Sequence, residues 1–210
     1  MKPVRPLNAS AIHAPRGSAP FELPRGFAPD APIDLEIGCG QGLHPIRYAQ
    51  ANPDRFLIAI EHTSEKFARF RSRLDHHPQI RNLLAVHAEG VAWTTHCLPS
   101  ARISRCFFMY PNPNPKSESK RWIRMPYFHR LLELMKPEGE ITFASNIESY
   151  IEEVRAYATG FWGLTLAEDF SFGQDGVPGG RPRTHFEKKY LERGEICHQL
   201  TLKLSPKSRL

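Results

Sequence analysis

IDLEIGCGQGLH, residues 33–44, joins a short β-rich run to a glycine-spaced turn and the head of an amphipathic segment. Ile33, Leu35 and Ile37 alternate with acids, and the run stops at Gly38, so it reads as a strand that feeds directly into a turn. Glycines at 38, 40 and 42 permit positive φ and let backbone approach a ligand closely at the head of the next helix, the position of the ligand crevice in a doubly wound sheet. A nicotinamide dinucleotide fingerprint places its third glycine one position later, where this chain has Leu43. An acid, Glu36, stands two places before the first glycine, and a carboxylate there suits a ligand that carries an ammonium group.

Downstream of this turn the rhythm persists. FLIAI (56–60), NLLAVH (82–87), RCFFMY (105–110) and EITFAS (140–145) are β-rich runs separated by longer helix-like stretches. SEKFARFRSRL (64–74) is the clearest of these, with a capping Ser64 and apolar residues at 67, 70 and 74. Such alternation predicts a parallel sheet covered by helices on both faces. A helix near 147–158 follows, and LTLAED and ICHQLTLKL (196–204) add two strands joined by a Gly- and Pro-rich connection long enough to serve a function. Upstream, the first thirty residues hold six prolines and show neither periodicity. The expected organisation is an N-terminal arm over 1–32 and one α/β domain over 33–210, with no internal repeat.

The 210 residues, 40% hydrophobic and 24% charged, suffice for one sizeable core. No apolar run approaches the roughly 20 residues that span a bilayer, and the N-terminus lacks the apolar centre of a signal peptide, so no membrane partner and a cytoplasmic location are expected. Cys39, Cys97, Cys106 and Cys197 form no Cys-x-x-Cys pair, and none of the ten histidines pair at i, i+4, so no metal is expected. The net charge of +6 is uneven. Residues 181–210 hold eight Lys or Arg against three Glu, and 112–130 hold five against one. Two distant segments could thus supply cations to one face, as a phosphate-rich partner requires, although a solvated basic tail has the same composition.

The second strand ends in Glu61, 23 residues after Gly38, where a carboxylate can accept both hydroxyls of a ribose. Glu36, the glycines and Glu61 together suit S-adenosylmethionine. Glu89, after the third strand, has two readings: an acceptor for the adenine amino group, or an acid favoured by a helix N-terminus.

LEIGCGQG (35–42), IAIE (58–61), YPNPNPK (110–116), ASN (144–146) and RPRTHFEKKYLERG (181–194) follow one another in that order. In order and spacing they resemble the bacterial tRNA (guanine-N7-)-methyltransferases, whose motifs are LEIGxGxG, IGIE, FPDPWPK, ATD and RPxTxFExRG; the Thr184-to-Glu187 element is the most family-specific. The resemblance covers about residues 33–204. It implies a doubly wound class I methyltransferase (Rossmann-like) sheet, mostly parallel with one antiparallel C-terminal strand. It also implies S-adenosylmethionine bound by Glu36, Gly38, Gly40, Gly42, Glu61 and Glu89, a tRNA or other RNA partner, and a monomer or weak dimer. The substrate side would be served by Lys116, Lys120, Arg121, Asn146, Thr184 and Glu187, with Asn112 in the catalytic loop.

Three departures stand out. Asn112 and Asn146 replace family aspartates, and Asn114 replaces a tryptophan. Guanine N7 carries an available lone pair, so its methylation needs alignment and electrostatic support but no deprotonation of the attacking nitrogen. The purine becomes cationic, and two nearby carboxylates are gone; Glu118 and Glu187 are the nearest replacements by sequence. Asn-Pro at this strand end also resembles the loop of amino-group methyltransferases, where the amide accepts from an exocyclic NH2. An RNA nucleobase methyltransferase with an altered loop is therefore the first expectation. An amino-group enzyme for another substrate, and a non-catalytic cofactor- or RNA-binding relative, stand beside it.

Overall fold

The computed structural model describes residues 3–205 and Ser208. Seven strands form one sheet: β1 Ile33–Ile37, β2 Phe56–Glu61, β3 Leu83–His87, β4 Ile103–Met109, β5 Met135–Ser145, β6 Thr165–Phe172 and β7 Cys197–Lys203. Their order is β3-β2-β1-β4-β5-β7-β6. Strands β1 to β5 pair in parallel, and β7 runs antiparallel to both of its neighbours. The expected runs are all strands, and β5 begins five residues earlier than its β-rich core suggested.

Six helices connect them: α1 Leu43–Ala51, α2 Ser64–Asp75, α3 Gly90–Cys97, α4 Tyr127–Leu134, α5 Glu148–Tyr157 and α6 His185–Glu192. Thr63, not Ser64, is the N-cap of α2, and its backbone is extended at φ −78°, ψ 114°. Helix α6 lies inside the segment that composition presented only as a Gly/Pro-rich connection.

The period of two divides each strand between two apolar layers. Ile33, Leu35, Ile58 and Ile60 join Tyr127, Phe128 and Leu131 of α4 and Val154 of α5 in the larger cluster. On the other face Leu57, Phe107 and Ala144 meet Leu191 of α6, while Ala59 meets Ile46 of α1 and Phe70 of α2. Chain progress reverses between β1 and β4, which opens the switch-point crevice at the carboxyl ends of these strands. Ahead of β1, Phe21, Leu23 and Phe27 pack on the larger cluster, and the rings of Phe21 and Phe27 lie 5.8 and 5.2 Å from that of Phe56. The Phe21 N–H donates to the Cys97 carbonyl at 2.8 Å. All four cysteines are buried and free. Among the described residues no helix is long and apolar enough to cross a membrane.

Asp34 shows how an acid survives inside a strand. It is fully buried, and its two oxygens accept from Arg55 at 2.6 and 2.7 Å and from the Tyr48 hydroxyl at 2.7 Å. The pairing ties α1 and the start of β2 to β1. Removing one member of a buried pair leaves the other uncompensated, at a cost of about 3–5 kcal/mol. Asp34→Ala is accordingly expected to lose stability of that order in urea unfolding with an unchanged m-value; a loss below about 1 kcal/mol would show that Arg55 finds solvent instead.

Candidate active site

The turn after β1 is stitched to the end of β2. The Gly38 and Cys39 N–H groups donate to the Ile60 carbonyl at 2.8 and 3.1 Å. Beneath the turn, Glu61 accepts from the Gly40 N–H through one oxygen and from the Thr63 N–H through the other, both at 2.8 Å. Its carboxylate is almost wholly buried. Burial pushes the Glu61 carboxyl up, but the Thr63 and Gly40 donors and the charge of Lys66 outweigh it and hold the group below its ordinary range. Each oxygen keeps a further lone pair for a second donor.

Two of the three glycines face open space. At Gly38 and Gly40, with φ of +80° and +60°, a Cβ would meet nothing within 4 Å. That leaves bare backbone on the side from which a ligand approaches. Gly42 is required for packing as well as for its φ of +77°, because a Cβ there would lie 1.9 Å from the Phe70 ring. Glu36, also buried, accepts from or donates to nothing in the turn; it bonds His44 Nδ1 of α1 at 2.8 Å. Glu89 is the N-cap of α3 and accepts from the Val91 and Ala92 N–H groups at 3.0 and 2.8 Å. Both of its oxygens thus serve the helix reading while the side chain still borders the crevice.

A cavity of 1070 Å³ occupies the crevice. Its walls include Gly38, Glu61 and Glu89 from the β1–β3 side and Asn112, Ser145 and Asn146 from the β4–β5 side. A smaller cavity of 190 Å³ is bordered by Glu36, Gly40, His44, Lys66, Thr184 and Lys189. Lys66 touches both and was not singled out by sequence, since one lysine on an amphipathic helix carries no signal of its own.

The loop after β4 leaves the sheet through Tyr110, whose φ of +56° places a bulky residue in the left-handed region at a cost on the order of 1–3 kcal/mol. Two bonds hold it there. Its N–H donates to the Ala144 carbonyl and its hydroxyl to Glu187, each at 2.8 Å. Beyond it, Asn112 Oδ1 accepts from the Asn114 N–H at 2.9 Å, and Asn114 Nδ2 donates to the Asn112 and Lys120 carbonyls. Asn112 is exposed on the rim, with its amide oxygen turned into the loop.

Thr184, Glu187 and Arg183 form the support of this loop. Thr184 caps α6 by accepting from the Glu187 N–H, and Glu187 is fully buried. Its oxygens take bonds from Tyr110 and from the backbone and guanidinium of Arg183. Burial raises the Glu187 carboxyl, and the Arg183 cation more than reverses this. Arg183 also donates to Gln199 on β7. Arg121 is similarly engaged, donating to the Pro113 carbonyl at 2.7 Å and to Glu153 of α5. Lys120 is exposed and borders the large cavity; Lys116 is exposed and does not. Asn146 borders the cavity, and its Nδ2 donates to Glu195 at 2.7 Å, a carboxylate that sequence gave no reason to select. Glu118, one expected replacement for the lost acids, pairs with Arg124. Among the described residues no group of His, Cys, Asp and Glu could hold a metal.

This sheet order, with the acid–glycine turn at the switch point and a second-strand acid beneath it, defines a class I S-adenosylmethionine-dependent methyltransferase. The fold agrees with solved structures: a 16S rRNA methyltransferase, KamB, superposes with a TM-score of 0.60 over 83% of this chain and 88% of that one at 19% identity. A 16S rRNA (adenine(1408)-N(1))-methyltransferase from Catenulisporales acidiphilia gives 0.57 over 85% and 88% at 14% identity. A family model described as "Putative methyltransferase" matches residues 30–200. The tRNA (guanine-N(7)-)-methyltransferase of Roseobacter denitrificans is 30% identical over 87% of this chain and 77% of its own length. That of Azorhizobium caulinodans is 30% identical over 84% and 80%. The chain belongs to the bacterial tRNA (guanine-N7-)-methyltransferase family, as a divergent member.

Glu61 provides a test of the turn that needs no substrate. A carboxyl held low in the folded state adds stability that is complete above its unfolded pKa and is lost as pH falls through the folded value. The stability gap between wild type and Glu61→Gln is expected to stay flat from about pH 8 to about pH 5 and to shrink below about pH 4.3. At neutral pH the gap should be about 1.5–3 kcal/mol, the range for hydrogen bonds to a charged group. A gap that grows on acidification would contradict the assignment of these bonds.

Proposed function

We propose that this enzyme methylates guanine N7 in tRNA, with Glu61 and the Gly38–Gly42 turn holding the adenosine of S-adenosylmethionine and Glu36 its ammonium end. The cofactor supplies an electrophilic methyl group on a sulfonium. The glycine backbone, bare at Gly38 and Gly40, leaves room for it, and Glu61 keeps one lone pair per oxygen for the ribose hydroxyls. Lys66 borders the smaller cavity opposite Glu36, so the two together suit a zwitterion.

The observation that carries the choice of target atom is the orientation of Asn112. An amino-group target requires an acceptor aimed at it, and Asn112 Oδ1 is aimed into its own loop at the Asn114 N–H; its second lone pair would have to be reached from that side. Guanine N7 asks for no acceptor, only alignment against the methyl donor and compensation of the positive charge that develops on the ring. Asn146 meets that need at one remove. Its amide N–H is bound to Glu195, which polarises the amide and leaves Oδ1 as the free end beside the cavity. The rim built from Tyr110 to Asn114 orients the base, and Glu187 and Arg183 keep that rim fixed. The similarity to tRNA (guanine-N(7)-)-methyltransferases supports tRNA as the substrate.

Labelled S-adenosylmethionine incubated with tRNA transcripts is expected to yield N7-methylguanosine in nuclease digests. Asn112→Asp keeps one oxygen for the Asn114 N–H and adds a charge beside the base, so kcat should rise with little change in KM. Glu195→Gln should lower kcat; one well-placed electrostatic partner is worth up to about 2.7–4 kcal/mol, and an indirect one less. Methyl transfer to an exocyclic amine, or a lower rate for Asn112→Asp, would overturn the N7 assignment.

A further inference from the structure

Most arginines of this fold face a carboxylate: Arg69 with Glu65, Arg71 with Asp75 and Arg121 with Glu153 are examples. Arg47 on α1, Arg73 on α2 and Arg181 before α6 form no ion pair among the described residues, as is also true of Arg5, Arg16, Arg25, Arg81 and Arg102. They come from three separate parts of the sequence and meet in one place. Arg47 donates to the Pro182 carbonyl, which brings α1 against the loop that carries Arg181. Arg73 approaches His185 Nε2 at 2.8 Å, which brings α2 against the first residue of α6. A guanidinium can only donate, so the imidazole accepts here and is neutral.

Proximity among these cations has an electrostatic consequence. Desolvation by burial lowers the Arg47 pKa, and the charges of Arg181 and Arg73 lower it further. His185 is depressed by burial first and then by Arg73, Arg47 and Lys188. Glu187 offsets part of this for Arg47, but it is engaged by Arg183, and like charges packed together work against the folded state. A polyanion bound across them would turn the repulsion into attraction.

Beside the cluster lies a surface for bases. Phe186 on α6 is 41% exposed and stacks on Tyr190 with centroids 6.2 Å apart and planes at 20°. Both rings border the large cavity. Phe186, His185 and Lys189 also border the smaller one, so cations and aromatic faces sit together at the mouth of the cofactor crevice. Phosphate-binding cations next to an exposed aromatic are the combination that holds a single nucleic-acid strand.

Resting on the reading of the substrate as tRNA, we propose that Arg47, Arg73 and Arg181 form the platform that grips RNA phosphates flanking the target nucleotide, with Phe186 as the stacking surface. The strand then crosses α1, α2 and α6. Within the two basic segments, Arg121 and Arg183 are engaged inside the fold, and Arg181 belongs to this platform.

The test is tRNA binding by fluorescence anisotropy across a salt series, with S-adenosylhomocysteine affinity measured by calorimetry on the same proteins. Arg47→Gln/Arg73→Gln/Arg181→Gln is expected to weaken tRNA binding. It should also flatten the plot of log K against log salt by about 0.7 to 0.9 per lost phosphate contact, with cofactor affinity unchanged. Arg69→Gln/Arg71→Gln, whose cations already have acids, should keep the wild-type slope. If the triple variant does not fold, Arg181→Gln, exposed and without a partner to lose, should still flatten the slope by about one contact. A wild-type slope in these platform variants overturns the platform and leaves the tRNA reading intact. Wild-type protein that binds S-adenosylhomocysteine but no tRNA at low salt overturns the tRNA reading, and the platform with it.

Discussion

The glycine-turn wall of the crevice depends on one buried carboxylate. Glu61 takes the Gly40 N–H of the first turn with one oxygen and the Thr63 N–H of its own strand end with the other. The glycine turn has left-handed residues at 38, 40 and 42 and cannot hold its shape by side-chain packing at the two positions that face open space. An acceptor beneath it supplies the restraint that missing side chains cannot. Because Glu61 ends the strand next to β1, the same acid that shapes the turn also faces the cavity. Under the proposed cofactor placement, one residue couples shape and binding.

A second constraint governs the opposite wall. Tyr110 is held left-handed, and the holding group is Glu187, which itself stays charged in the interior through Arg183. The Thr-x-Phe-Glu element thus acts as a strut reaching from α6 to the exit of β4. This explains why so family-specific a motif can carry an acid that is fully buried and borders neither cavity. Its chemistry is mechanical: it fixes the loop that forms one rim of the crevice. Asn114, also left-handed, closes the same loop with bonds to the Asn112 and Lys120 carbonyls, a conformation asparagine tolerates better than the family's tryptophan would.

The strands, their alternation and the glycine turn were legible in the sequence because each rests on local pattern: period two, β-rich composition and glycine spacing. What pattern cannot report is which partner a charge will find. Arg121 and Arg183 lie in the two segments whose net charge suggested cations for a partner, yet each meets a carboxylate supplied by a nearby helix. Arg47 and Arg73 carry no signal of their own in the sequence, yet the loop before α6 and its first residue meet them through a carbonyl and an imidazole. Glu89 had two readings, and its bonds to Val91 and Ala92 come from the helix that follows it. Helix α6 was hidden because eight helical residues follow a run of glycines and prolines that dominates the local composition. Glu195, behind Asn146, stands in a turn with no periodic signal at all.

Two neutral amides, Asn112 and Asn146, line the crevice, and a carboxylate stands one bond behind Asn146. Whether that arrangement serves the cofactor-dependent reaction rests on the cofactor lying where Glu61 can reach it. A crystal structure with S-adenosylhomocysteine bound tests this most directly. The account predicts both ribose hydroxyls within about 2.5–3.0 Å of the Glu61 carboxylate, with the Gly40 and Thr63 bonds retained. A ribose turned away from Glu61, with those two bonds undisturbed, would contradict it.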